Sequence, residues 1–161
     1  MSTTKSEGHS VGQVDVRGPR FSAWITTAVL LVVLVVSGFS ASTATVILGL
    51  QAVVFLIGAL AGPRKHPYGR LFVNFVAPRL GPVKEREPVA PLKFAQLVGL
   101  IFAVIGVAGF ATGLPMLGFI ATAFALAASF LNAAFGICLG CQIYPVVARL
   151  RRTAQAPRAT A

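Results

Sequence analysis

Two long stretches of this chain, residues 21–63 and 94–148, contain no Asp, Glu, Lys, Arg or His. A segment without ionisable groups can sit in hydrocarbon, and a helix rising about 1.5 Å per residue crosses a bilayer in about 20 residues. Each stretch is too long for one crossing and fits two. Each also carries a helix-breaking dip near its middle. In the first the dip is Ser37-Gly38-Phe39-Ser40-Ala41-Ser42-Thr43, and in the second it is Thr112-Gly113-Leu114-Pro115. Glycine, proline and the small hydroxyl residues favour turns and caps over helix interiors. The pattern therefore predicts an all-α, polytopic membrane protein. Four transmembrane helices form two helical hairpins, with spans near 22–38, 42–62, 94–113 and 115–135. The composition agrees: 11% of residues are charged and 56% hydrophobic, whereas soluble domains carry about 25% charged residues.

The flanks divide the chain. Residues 1–13 are expected to be a disordered tail, 14–148 a four-helix membrane domain, 63–93 its central cytoplasmic loop, and 149–161 a basic tail. The first span lacks the short apolar core and small-residue cleavage site of a signal peptide, so it is expected to remain as a span. All fourteen Lys and Arg residues fall in the two tails and the central loop, and neither hairpin tip has any. Basic residues concentrate on the cytoplasmic side. An even number of spans puts all three basic segments on one face. The expected location is thus the inner (plasma) membrane, with N- and C-termini cytoplasmic. A reporter fused after Arg152 should behave as cytoplasmic, and one inserted at Ser40 or Gly113 as external. External labelling of a cysteine introduced near Arg79 would overturn that topology.

A net charge of +10 raises the question of nucleic acid, but no recognition motif accompanies it. Anionic lipid headgroups explain the charge without one, so the expected partner is the lipid bilayer. Within the central loop, Leu71, Phe72, Phe75 and Val76 fall on one helical face. That spacing predicts a short interfacial helix over 68–76, ended by Pro78. The stretch after it, with Gly81, Pro82, Pro88 and Pro91, reads as an extended connector.

Three G-x-x-x-G pairs, Gly58/Gly62, Gly109/Gly113 and Gly136/Gly140, suggest close helix approach within the bundle, with a homo-oligomer face as the alternative. Asn132 is the one strong polar side chain of the fourth span. It is expected to hydrogen-bond a neighbouring helix, or to orient chemistry at the nearby cysteines.

That chemistry is confined to Gly136-Ile137-Cys138-Leu139-Gly140-Cys141, which holds both cysteines of the chain. A C-x-x-C pair can be a dithiol/disulfide couple, half of a soft-metal site, or inert filler. A zinc centre needs further ligands, and the chain offers only His9 and His66; no metal and no cofactor are expected. On a reducing cytoplasmic face, disulfides are usually transient and catalytic. A helix break at Gly136 would start a new turn near Cys138 and lower its thiol pKa. Cys138 and Cys141 are therefore the candidate catalytic thiols, with Asn132, Gly136, Gly140 and Tyr144 in support. Pro145 and Arg149 are expected to end the membrane contact.

Four segments together resemble a bacterial membrane family catalogued as domain of unknown function 4395. They are Val14-Asp15-Val16-Arg17-Gly18-Pro19-Arg20-Phe21, Tyr68-Gly69-Arg70-Leu71-Phe72 with Ala77-Pro78-Arg79-Leu80, Pro91-Leu92-Lys93-Phe94-Ala95-Gln96, and the residues 130–144 that close on the G-x-C-x-G-C-x-x-Y motif. The resemblance implies company with thioredoxin-like or rhodanese-like cytosolic proteins, hence thiol or sulfur traffic. Two function classes stay open. One is a thiol-redox or sulfur relay. The other is a non-enzymatic scaffold or complex subunit with structural cysteines; a permease for a small sulfur compound is a weaker third.

Overall fold

Helix formation here follows from apolar runs bounded by good stop signals. In the computed structural model, which describes residues 12–155 (side chains to Leu150), α1 covers Arg17–Ser37 and α2 covers Ala41–Ala61. The turn between them is closed by Ser40, whose hydroxyl caps α2 by accepting the Thr43 N–H at 3.3 Å. Helix α4 covers Val89–Ala111 and α5 covers Pro115–Phe135. Gly113, at φ +76°, makes the turn between them. Pro115 then opens α5 at a position where its missing N–H costs nothing. All four helices are long and apolar enough to cross a membrane.

Each helix of one hairpin packs on a helix of the other, α2 on α4 and α1 on α5, while α1–α2 and α4–α5 contacts close the ring. The shared core is small, made of Leu30, Val33, Ala44, Leu48, Ala52, Phe55, Ala103, Phe110 and Ala125. Large apolar side chains instead cover the outside; Leu31, Val46, Leu50, Leu60, Ile101 and Phe124 are each at least half exposed. Water would not tolerate such a surface, whereas lipid matches it. The fold is a four-helix membrane bundle.

The glycine pairs divide their labour. Gly58, Gly109 and Gly140 lie where a Cβ would collide with a neighbouring element, at 2.5 Å from the Gly118 nitrogen in the case of Gly109. Their partners Gly62, Gly113 and Gly136 all adopt positive φ and end or turn helices. No pair is thus a packing stripe along one helix. Each combines one close contact with one chain reversal.

The loop side of the bundle is more ordered than its composition suggests. Helix α3, Pro67–Leu71, continues through a π-turn at Phe72–Val76 into a 3-10 turn at Ala77–Arg79. Phe72 is turned inward against Gly18 and Phe21, with the two rings 5.8 Å apart. Leu71, Val73 and Phe75 remain exposed, as an interfacial helix requires. Phe75 therefore parts from Phe72, because the π-turn rotates it off the face they would share in a regular helix.

The connector does not stay wholly extended and solvated: its end, Arg86–Pro88 (β2), pairs antiparallel with Gln13–Asp15 (β1). Asp15 also accepts the Arg17 backbone N–H at 3.0 Å and holds the Arg17 guanidinium at 2.8 Å, and that guanidinium donates to the Gly81 carbonyl. These contacts hold the Asp15 carboxyl below the usual carboxylate range. Residues 1–11 and 156–161, which include much of the two expected tails and His9, lie outside the described residues.

Candidate functional site

One glycine shapes the passage from the last turn of α5 into the cysteine motif. Gly136 adopts the left-handed conformation (φ +70°) and its N–H bonds the Asn132 carbonyl at 3.0 Å. That bond is the five-to-one closure of an αL cap, and the Ile137 N–H reaches one residue further back, to the Leu131 carbonyl at 3.2 Å. The chain then starts again as α6, Leu139–Gln155. Cys138 is the residue just before that new helix. Its Sγ accepts the Cys141 N–H at 3.3 Å, taking the place that a serine or aspartate oxygen fills at other helix starts. The two sulfurs are in disulfide contact, with Cα atoms 5.1 Å apart. Helix α6 continues through Pro145, which has no N–H to offer the Cys141 carbonyl one turn back.

Gly140 is buried against α4: a Cβ there would stand 2.6 Å from the Ala95 Cα. The motif glycine thus lets the cysteine turn dock on α4. Tyr144 contributes from the next turn, its ring 6.0 Å from that of Phe94.

Cys138, but not Cys141, faces a cavity of about 260 Å³ between α1, α4 and α5. Phe55, Phe102 and Phe124 are among its apolar walls, and its polar lining includes Ser22, Thr26, His66, Gln96, Ser129 and Asn132. Asn132 makes no side-chain hydrogen bond to another described residue, contrary to expectation. The α1–α5 bond is made one turn away, where Thr27 donates to Ser129 at 3.2 Å. Asn132 borders the cavity instead.

Sequence reasoning missed the other polar groups gathered here. His66 is 2% exposed, and neither ring nitrogen has a hydrogen-bond partner among the described residues. Gln96 Oε1 and Gln51 Nε2 are likewise buried and unpaired. His66 and Gln96 converge on Gly58, where a Cβ would meet them at 2.7 and 2.9 Å. Tyr68 stands edge-on to His66, ring centres 5.2 Å apart, and donates to Gln51 Oε1 at 2.8 Å. The available signal was a glutamine in each of two otherwise apolar spans, Gln51 and Gln96, since a membrane interior penalises amides that find no partner.

Burial pushes the His66 imidazole down to about 4, against a smaller opposite pull from the Gln96 side chain. The ring is therefore neutral at pH 7. Because the unfolded chain takes up this proton first, stability should fall as pH drops from about 6.5 to about 4. A gap of that size is worth roughly 3 kcal/mol. Glu87, whose carboxyl is raised by burial, acts in the opposite sense. An unfolding midpoint followed against pH should thus flatten in His66→Asn relative to the parent; parallel profiles would contradict the assignment.

Together these features define a polytopic membrane protein with a C-x-x-C at a helix start, beside a cavity between the helices. The chain belongs to the family described as Domain of unknown function (DUF4395), whose model matches residues 14–149. No curated protein and no solved structure matches it.

Proposed function

We propose that the chain is a membrane thiol protein whose Cys138–Cys141 pair exchanges electrons or sulfane sulfur with a cytosolic thioredoxin-like or rhodanese-like partner. The observation that carries this reading is the Cys141 N–H directed at Cys138 Sγ within the first turn of α6. Amides and dipole at a helix start favour the thiolate, which is the attacking form.

Cys138 is the nucleophile. Its thiolate attacks a partner disulfide, forming a mixed disulfide and releasing one partner thiolate. Cys141, deprotonated, then attacks Cys138 Sγ. The S–S bond passes to the pair, and the partner leaves as a dithiol with both electrons. With a persulfide donor, Cys138 takes the outer sulfur and the donor leaves as a thiolate. The partner meets the basic end of the bundle, where the fourteen Lys and Arg residues are expected to lie.

Thiol-trapping mass spectrometry in intact cells tests the reading. The pair should appear as a mixture of dithiol and disulfide or persulfide, shifting to disulfide under diamide. Two thiols that stay reduced under diamide and inert to alkylation in the native membrane would overturn it.

A further inference from the structure

The cavity beside Cys138 has a composition that selects its occupant. None of its lining residues is Asp, Glu, Lys or Arg, so a charged ligand would enter without a counter-charge, at high cost. Its aromatic walls, Phe55, Phe102 and Phe124, suit a flat apolar body. An apolar cavity of about 150 Å³ accommodates benzene, and about 260 Å³ leaves room for a ring with substituents. The polar groups add a second requirement. His66 is fully buried with both ring nitrogens unpaired, and Gln96 Oε1 is a buried, unpaired acceptor. Asn132 adds amide donors and an acceptor. Neutral imidazole offers one donor and one acceptor. The site can thus satisfy a ligand that accepts hydrogen bonds in one state and donates them in another.

We propose that this cavity binds the ring of a lipophilic quinone, which takes electrons from the Cys138–Cys141 pair. The proposal rests on the thiol-relay reading above, run in its reducing direction. A partner dithiol attacks the closed pair at Cys138 and releases Cys141 as the thiolate, and the second partner thiol resolves the mixed disulfide. The partner leaves as a disulfide, while the reduced pair passes the two electrons to the quinone. In the oxidised ligand, two ring carbonyls accept from His66 and Asn132. In the reduced ligand, two hydroxyls donate to Gln96 Oε1 and the other His66 nitrogen. The step balances: two S–H bonds break and one S–S bond forms between Cys138 and Cys141. Two electrons and two protons pass to the quinone, whose two C=O oxygens become O–H. Because Cys138 alone of the pair borders the cavity, it is the sulfur nearest the ring.

The test uses the full chain in lipid nanodiscs, with the pair reduced beforehand. Decylubiquinone is the probe, because its fully substituted ring cannot be arylated by a thiol. One quinone should be reduced for every two thiols lost. Ala128→Phe, which fills the cavity, and Gln96→Leu should each slow that reaction at least tenfold. Diamide, which needs no site, should still close the pair in each variant and so reports that it is folded. Occupancy has a separate readout in Cys141→Ser: the quinone should slow alkylation of Cys138, although no disulfide can form within the chain. Equal oxidation of parent and Ala128→Phe, or unchanged alkylation, overturns the proposal. If diamide closes the pair and the quinone does not, only this inference falls. If neither closes it, the thiol-relay reading falls as well.

Discussion

Replacing Cys138 by Ser should abolish labelling of the chain by a maleimide at neutral pH, whereas Cys141→Ser should leave it fast and trap a covalent partner. The asymmetry comes from position. Cys138 precedes α6 and receives the Cys141 amide at 3.3 Å, and an amide donor at a helix start favours a thiolate there. Cys141 is inside the first turn, with Gly140 wedged against Ala95 beside it. Without Cys141 nothing within the chain can resolve a mixed disulfide, so a partner held on Cys138 should survive non-reducing electrophoresis and disappear with reductant. Equal labelling of the two single variants would show that the helix start does not activate Cys138. It would also remove the assignment of attacking and resolving thiols.

A large structural effect is expected at the α4–α5 crossing. A Cβ at Gly109 would come within 2.5 Å of the Gly118 nitrogen and 2.9 Å of its Cα. Backbone cannot swing aside as a flexible side chain can. Gly109→Val should therefore force the helices apart and cost about 1–3 kcal/mol or more. Gly81→Ala provides the comparison, since nothing lies within 4 Å of its added methyl; it should be close to neutral. Thermal unfolding in detergent, read for both variants, should give a clear drop for Gly109→Val alone. Similar midpoints would mean that the two helices do not meet at this glycine.

Which parts of this architecture are visible in the sequence depends on how far the determining interaction reaches. Helices α1, α2, α4 and α5 are legible because each is a continuous apolar run with its own stop signal. The break at Gly136 is legible too, because a glycine ahead of Cys138 changes the backbone locally. The ribbon between Gln13–Asp15 and Arg86–Pro88 is not. Three-residue strands carry no periodic pattern, and their partners are far apart in the chain. By sequence His66 is a loop residue beside Pro67, yet α2 and α4 close over it through Gly58 and Gln96. A sound local rule gives Asn132 a helix partner, but the geometry of α1 and α5 hands that bond to Thr27 and Ser129. Residues brought together by tertiary packing carry no local sign of meeting.

The ribbon has a consequence for biogenesis. Synthesis at about 5–20 residues per second delivers Gln13–Asp15 several seconds before Arg86–Pro88. The leading strand must wait unpaired while the first hairpin enters the bilayer. Pairing becomes possible only when the chain has returned to the same side and the second hairpin is about to insert. The ribbon then acts as a latch that closes on correct threading: a chain that failed to come back across the membrane would leave both strands without a mate, on opposite sides of the lipid. Such a misthreaded chain would display an open strand edge and lose the bonds from the Arg17 guanidinium to the Gly81 carbonyl.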